Sequence, residues 1–185
     1  QQMKSELVTL GAGCFWCVET IFSRVKGVIS VVSGYADGDI ENPTYKEVVS
    51  GTTNHAEVVQ VEYDPSIIPF EQLLSVFFAI HDPTTLNRQG ADIGTQYRST
   101  VLYHNNEQRT ACIDKIAAVN NSGEYEQAVV TKIVPYSHFY SAESYHQDYF
   151  NNNTDNQYCQ LVVAKKVQKF LNEFSHLLKP ETVLS

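Results

Sequence analysis

Two thiols three residues apart, Cys14 and Cys17, follow directly on Gly11-Ala12-Gly13. In a chain of 185 residues with four cysteines, a C-x-x-C pair points to redox chemistry or to half a metal site, not to a disulfide scaffold. A thiol is a weak nucleophile until it loses its proton, and amides at a helix N-terminus favour the thiolate. The glycines ahead of Cys14 allow a tight turn that leaves its sulfur approachable. Phe15 and Trp16, the latter the only tryptophan, either pack or wall off an apolar substrate head such as a methyl group. Cys159 follows the polar run Asn151 to Gln157, expected to be mobile, so it either swings to meet another thiol or stays an inert surface thiol. Cys112, beside Ile113 and Ile116, reads as core packing.

A second oddity lies on a predicted strand. Ala56 to Tyr63 alternates, with Val59, Val61 and Tyr63 on one face, and Glu57 shares their parity. A carboxyl on an apolar face is desolvated, its pKa rises, and it becomes a proton donor near neutral pH. The plain alternative is a Glu paired with a cation. Tyr45 and Tyr97 are possible hydrogen-bond donors among eleven tyrosines. A zinc site is half present in Cys14-x-x-Cys17, but no second C-x-x-C or H-x-x-x-H completes it; His146 or Cys159 could join only through long-range folding. Gly11-Ala12-Gly13 is too short for a phosphate loop and lacks its lysine.

These residues need elements to hold them. Glu6 to Leu10 reads as a strand, and Val18, Ile21, Phe22 and Val25 fall on one helical face that Gly27 should end. Cys14 is thereby placed between a strand and a helix N-terminus. Val28 to Tyr35 reads as a strand, Ala36 to Pro43 as a loop, and Phe70, Leu73, Leu74 and Phe77 as a helix face. His81 to Gly94 reads as loop, Tyr97 to Tyr103 as strand, Asn106 to Asn120 as helix, and Ala128 to Val134 as strand. Ser141 to Phe150 reads as a short aromatic helix and Val162 to Leu178 as a last amphipathic helix with Val163, Val167, Phe170 and Phe174 inward. Helices and strands mix without strict alternation, which favours a two-layer α+β fold. The chain is expected to be one domain over 1–185, with 151–185 a C-terminal extension carrying the Asn-rich run and the final helix.

Composition bounds the partners. Thirteen Lys and Arg against 21 Asp and Glu give a net charge of −8, which argues against a nucleic-acid partner. The longest nearly apolar stretch, Leu73 to Ile80, is far short of the ~20 residues of a membrane span. No basic start followed by an apolar block opens the chain, so a cytoplasmic location is expected. No sustained heptads appear, and a monomer is expected.

Gly13-Cys14-Phe15-Trp16 resembles the signature of the A-type peptide methionine sulfoxide reductases. The resemblance continues in order through Gly34-Tyr35, Asn42-Pro43-Thr44-Tyr45, Ser50-Gly51, His55-Ala56-Glu57 and Tyr63-Asp64-Pro65. It goes on through His81-Asp82-Pro83, Arg88-Gln89-Gly90 with Asp92, Gly94-Thr95-Gln96-Tyr97-Arg98-Ser99, Tyr145-His146-Gln147 and Tyr158-Cys159. The family implies a two-layer α/β sandwich with a ferredoxin-like core and long coils. It implies Cys14 as nucleophile, Glu57 as acid, Tyr45 and Tyr97 holding the sulfoxide oxygen with it, and Asp92 supporting them through water. Phe15 and Trp16 would receive the substrate methyl. The substrate would be methionine-S-sulfoxide, free or in oxidised proteins. No cofactor would be bound, and thioredoxin or another dithiol would serve as reductant. Cys159 stands where many members carry a resolving cysteine.

The chain departs from the commonest pattern at Cys17, where many members have glycine. Cys159 is favoured as the resolving thiol on its Tyr-Cys context, with Cys17 a competitor or a relay partner. Two rivals remain: a general thioredoxin-like dithiol–disulfide oxidoreductase using Cys14 and Cys17, and a structural zinc or interaction module.

Overall fold

A computed structural model describes residues 4–180. The chain runs β1 (Glu6–Ala12), α1 (Phe15–Phe22), β2 (Val28–Ala36), α2 (Tyr45–Val49), β3 (Ala56–Tyr63) and α3 (Phe70–Ala79). A small hairpin follows, β4 (Arg88–Gln89) and β5 (Asp92–Ile93), then β6 (Ser99–Tyr103), α4 (Asn106–Asn121), β7 (Lys132–Pro135) and β8 (Phe139–Ser141). The C-terminal arm holds α5 (Tyr149–Asn152) and α6 (Ala164–Glu173).

The main sheet has six strands in the order β7-β6-β1-β3-β2-β8. Every pairing is antiparallel except β6 with β7. The units β1-α1-β2 and β3-α3-β6 interleave in the central order β6-β1-β3-β2, which is the ferredoxin-like split βαβ arrangement. The α+β class expected from the mixed elements is thus the observed one. Val8, Leu10, Val59, Val61 and Tyr63 line one sheet face and share a single core with Val18, Ile21 and Phe22 of α1, Leu73 and Phe77 of α3, and Phe170 of α6. The opposite face is lightly covered, chiefly by Val134, Tyr136 and Phe139 over Ala36, Ala56, Val58 and Leu102. No helix among the described residues is long and apolar enough to cross a membrane.

Several elements differ from the sequence reading for physical reasons. β1 runs on through Gly11 and Ala12, which pair with β6, so the turn narrows to Gly13. α1 ends at Phe22, before Gly27, and single-turn bonds from Arg24 and Val25 tighten its exit. The predicted strand from Ala128 shortens to Lys132–Pro135, because only these residues find partners on β6; the Val130 amide bonds Pro83 instead. The expected helix from Ser141 to Phe150 breaks into an edge strand, one turn at Ser144–His146 and α5, with Asp148 in the left-handed region at φ 54°. Tyr97 lies in a 3₁₀ turn ahead of β6. The last helix opens with a π-helical turn at Cys159–Val163 and stops at Glu173; Ser175–Leu177 form a separate turn. Asn151 and Asn152 are helical, and Cys159 follows one further short turn, so it sits in a packed arm and not in open coil.

Candidate active site

Cys14 occupies the N-cap of α1, with its carbonyl accepting the Cys17 amide at 3.2 Å. Gly13 makes that placement possible. Its φ is 92°, and a Cβ there would stand 2.9 Å from the Gln89 side chain. The thiol is 8% exposed. Burial pushes it well above its ordinary range, and donation of its S–H to Cys17 adds to this; the Trp16 amide pulls the other way. Cys17 moves down, because Cys14 donates to it and because Lys166 supplies a nearby positive charge. The two thiols are close enough for their titrations to be linked. The sequence reading expected a Cys14 thiolate favoured by the helix N-terminus. The helix amide acts in the expected sense, but desolvation outweighs it.

Glu57 is 1% exposed on β3, opposite Tyr35 of β2. Its parity with Val59 and Val61 turns it to the helix-covered face beside Cys14. Oε1 accepts the Phe15 amide at 3.2 Å, while Oε2 is buried without a partner. Burial holds this carboxyl well above the usual carboxylate range, and negative charge on Cys14 adds to the effect. Such a carboxyl keeps its proton to higher pH than one in water.

The phenols of Tyr45 and Tyr97 converge from two other elements. Burial raises both above the ordinary phenol value, so both stay protonated donors. Tyr45 opens α2, whose N-cap is a reciprocal pair: Glu47 N–H donates to Thr44 Oγ1 at 3.2 Å and the Thr44 amide donates to Glu47 Oε1 at 2.9 Å. Its own amide donates to Glu143 at 2.9 Å, and Glu143 also accepts the Tyr35 hydroxyl at 2.8 Å. Asp92, on the β4-β5 hairpin, accepts the Tyr158 hydroxyl at 2.7 Å. Its charge reaches Cys14, Glu57 and Tyr97.

Phe15 and Trp16, paired in the sequence reading, differ in exposure and partners. Phe15 is 1% exposed and packs between Tyr35, Tyr45 and His146. Trp16 is partly exposed, donates its indole N–H to His146 Nδ1 at 3.0 Å, and stacks on Tyr149 with centroids 3.8 Å apart and planes at 8°. Cys159 is fully buried, its amide donating to Asn156 Oδ1 at 3.2 Å, and the Cys14 and Cys17 sulfurs lie within electrostatic reach. Cys112 is buried in α4, and burial pushes its thiol up to about 12. Among the described residues no three His, Cys, Asp or Glu side chains gather as a metal ligand set.

Sequence reasoning assigned no task to Glu19, Glu143, His146, Tyr149 or Tyr158. Tyr145-His146-Gln147 and Tyr158-Cys159 were visible as runs, but their partners are more than 60 residues away in the chain and no periodicity links them.

Comparison with known proteins gives the family. A family model described as "Peptide methionine sulfoxide reductase" matches residues 6–177. A peptide methionine sulfoxide reductase MsrA of Saccharolobus solfataricus is 52% identical, over 94% of this chain and 97% of that protein. The crystal structure of Mxr1 from Saccharomyces cerevisiae in reduced form superposes with a TM-score of 0.73 at 36% identity, covering 86% of this chain and 91% of that one. Mxr1 in complex with Trx2 is similar at a TM-score of 0.50 and 26% identity, over 80% and 87% of the two chains. With a family match over nearly its whole length and a relative sharing half its residues, the chain belongs to the peptide methionine sulfoxide reductase family.

Proposed function

We propose that this protein reduces methionine-S-sulfoxide, free or within oxidised proteins, to methionine at the expense of its own thiols. The observation that carries this reading is the buried Glu57 carboxyl, one oxygen bonded by the Phe15 amide and the other without a partner among the described residues, set beside Cys14. Disulfide exchange needs no such acid; removing oxygen from sulfur does, because oxide is a poor leaving group until protonated.

In this reading Cys14 Sγ attacks the sulfoxide sulfur and passes its proton to Cys17. Glu57 Oε2 protonates the sulfoxide oxygen, held also by the Tyr45 and Tyr97 hydroxyls. As the bond from Cys14 Sγ to the substrate sulfur forms, the S–O bond breaks and frees the protonated oxygen as hydroxide. Hydroxide then bonds to Cys14 Sγ, the bond between the two sulfurs breaks with its electron pair going to methionine, and Cys14 is left as a sulfenic acid. The methionine sulfur gains two electrons and the Cys14 sulfur loses two. A second thiol then attacks Cys14 Sγ, forming a disulfide and releasing water. Direct resolution by Cys159 is favoured on its Tyr-Cys context; the nearness of Cys17, three residues on, supports a relay in which Cys17 acts first and Cys159 takes over the disulfide by exchange. A dithiol reductant, thioredoxin on the precedent of the Mxr1–Trx2 complex, returns the thiols. Asp92 orders the site through Tyr158 and water. No bound cofactor enters these steps. We assign the protein to the cytoplasm as a monomer acting as one unit through its C-terminal arm, on its thiol chemistry and the packing of that arm.

The test is a stereoselective assay on both sulfoxide epimers with thioredoxin supplied. Turnover of the S epimer alone, abolished by Cys14→Ser even in a single turnover, is expected. Insulin reduction without sulfoxide turnover would establish the general oxidoreductase instead. Peptide mapping after one turnover without reductant identifies the resolving thiol: Cys14–Cys17 at the earliest times supports the relay, and Cys14–Cys159 alone removes it.

A further inference from the structure

Glu19 is a carboxyl buried to 7% exposure on α1, one turn after Trp16 on the same helix face. It has no basic partner among the ion pairs of the described residues. It accepts two hydrogen bonds: Ser33 Oγ donates to Oε1 at 2.7 Å, and the Asp148 amide donates to Oε2 at 2.7 Å. Ser33 is itself fully buried and holds the same arm by its backbone, which bonds the Gln147 carboxamide at 3.0 and 2.9 Å and the Ala142 amide at 2.8 Å. The Asp148 amide belongs to the residue with φ 54° that redirects the chain into α5. The first residue of α5 is Tyr149, the ring stacked on Trp16.

We propose that Glu19 is the positioning residue of the substrate enclosure: by holding the Asp148 turn against Ser33, it seats Tyr149 and His146 on Trp16. The helix that presents Trp16 beside the nucleophile also carries the acceptor that seats the rings packed on Trp16, so the indole and its support are referenced to one rigid element. A carboxylate suits this place because both of its neighbours are donors. Aliphatic replacement leaves the Asp148 N–H without an acceptor and releases the turn. A glutamine keeps both links, its carbonyl accepting from Asp148 and its amide donating to a rotated Ser33 hydroxyl. The consequence for catalysis rests on the methionine sulfoxide reductase reading; the consequence for Trp16 does not.

Trp16 is the only tryptophan, so its emission reports the stack directly. Glu19→Leu, which keeps packing volume without an acceptor, should red-shift Trp16 emission and raise its acrylamide quenching. It should also raise KM for a methionine sulfoxide peptide about tenfold, the scale of one lost hydrogen bond, with kcat changed far less. Glu19→Gln should restore both to near wild type. Tyr149→Ala should reproduce the Glu19→Leu spectrum and KM, and the double variant should be no worse than either single one. A wild-type spectrum and KM in Glu19→Leu, failure of Glu19→Gln to rescue, or additive effects in the double variant would overturn the proposal. If Glu19→Leu does not fold, amide hydrogen exchange on the unmodified protein decides: Asp148 N–H as protected as the amides of α1 supports it, and free exchange refutes it. An unmodified protein with no sulfoxide turnover but with these spectral responses would refute the reaction and leave the positioning role standing.

Discussion

At the scale of single residues, burial is what moves the titration of the site's carboxyl. Glu57 lies well above its ordinary value of 4.5 because water is excluded from it. As pH rises through its folded-state pKa the donor is lost, so activity should show a descending alkaline limb that Glu57→Gln lacks. That variant should also form sulfenic acid slower by about 10²–10⁴-fold, measured by rapid quench; wild-type rates would remove Glu57 from the acid role. The same burial has a cost in stability with a definite sign. An unfolded chain ionises this group near 4.5, whereas the folded chain holds the proton to higher pH, so above 4.5 the folded state binds more protons and stability falls as pH rises. Glu57→Gln should therefore have a higher Tm than wild type at neutral pH, and the difference should shrink below pH 4.5, where both states carry the proton. Equal Tm differences at both pH values would show that Glu57 is ionised in the folded protein.

At the scale of elements, short segments with polar caps do the placing. Thr44→Ala removes the reciprocal cap of α2 and should weaken that helix by about 1 kcal/mol, a shift of about fivefold in how often Tyr45 is seated. kcat/KM should fall with little change in global Tm, since only Val48 of α2 is fully buried. Gly13→Ala should cost more than ~1 kcal/mol, read as a lower urea midpoint, because it strains φ and meets Gln89. How much of this was legible follows from which contacts are local. The β1–α1 junction was readable because Gly13-Cys14 precedes a clean apolar face at Val18, Ile21, Phe22 and Val25, and Glu57 because strand parity is a local count. α2 was not found: its five residues contain too little apolar periodicity, although the Thr44–Glu47 spacing is a cap signature. The break at Asp148 was invisible because the acceptor of its amide is Glu19, a residue 129 positions earlier. Ala128 to Thr131 has strand composition, but no neighbouring strand reaches it.

At the scale of the whole molecule, the question is whether the arm bearing Cys159 is an appendage or part of the core. Cys159, Val163 and Phe170 are each at most 1% exposed and join the cluster that contains Phe22 of α1 and Phe77 of α3. The Lys26 amide bonds the Leu177 carbonyl at 2.7 Å and the Lys179 amide bonds the Arg24 carbonyl at 2.9 Å, tying the end of the arm to the exit of α1. An arm packed this way cannot unfold independently without exposing the helix that carries Cys14 and Cys17. Phe170→Ala should therefore cost about 3–5 kcal/mol, the usual penalty for emptying a buried aromatic site. Urea unfolding followed by Trp16 emission and by far-ultraviolet circular dichroism should shift together, as one transition. Two separated transitions, with Trp16 reporting only the later one, would show the arm to be a separate unit, and the buried position of Cys159 would then be a local, readily opened state.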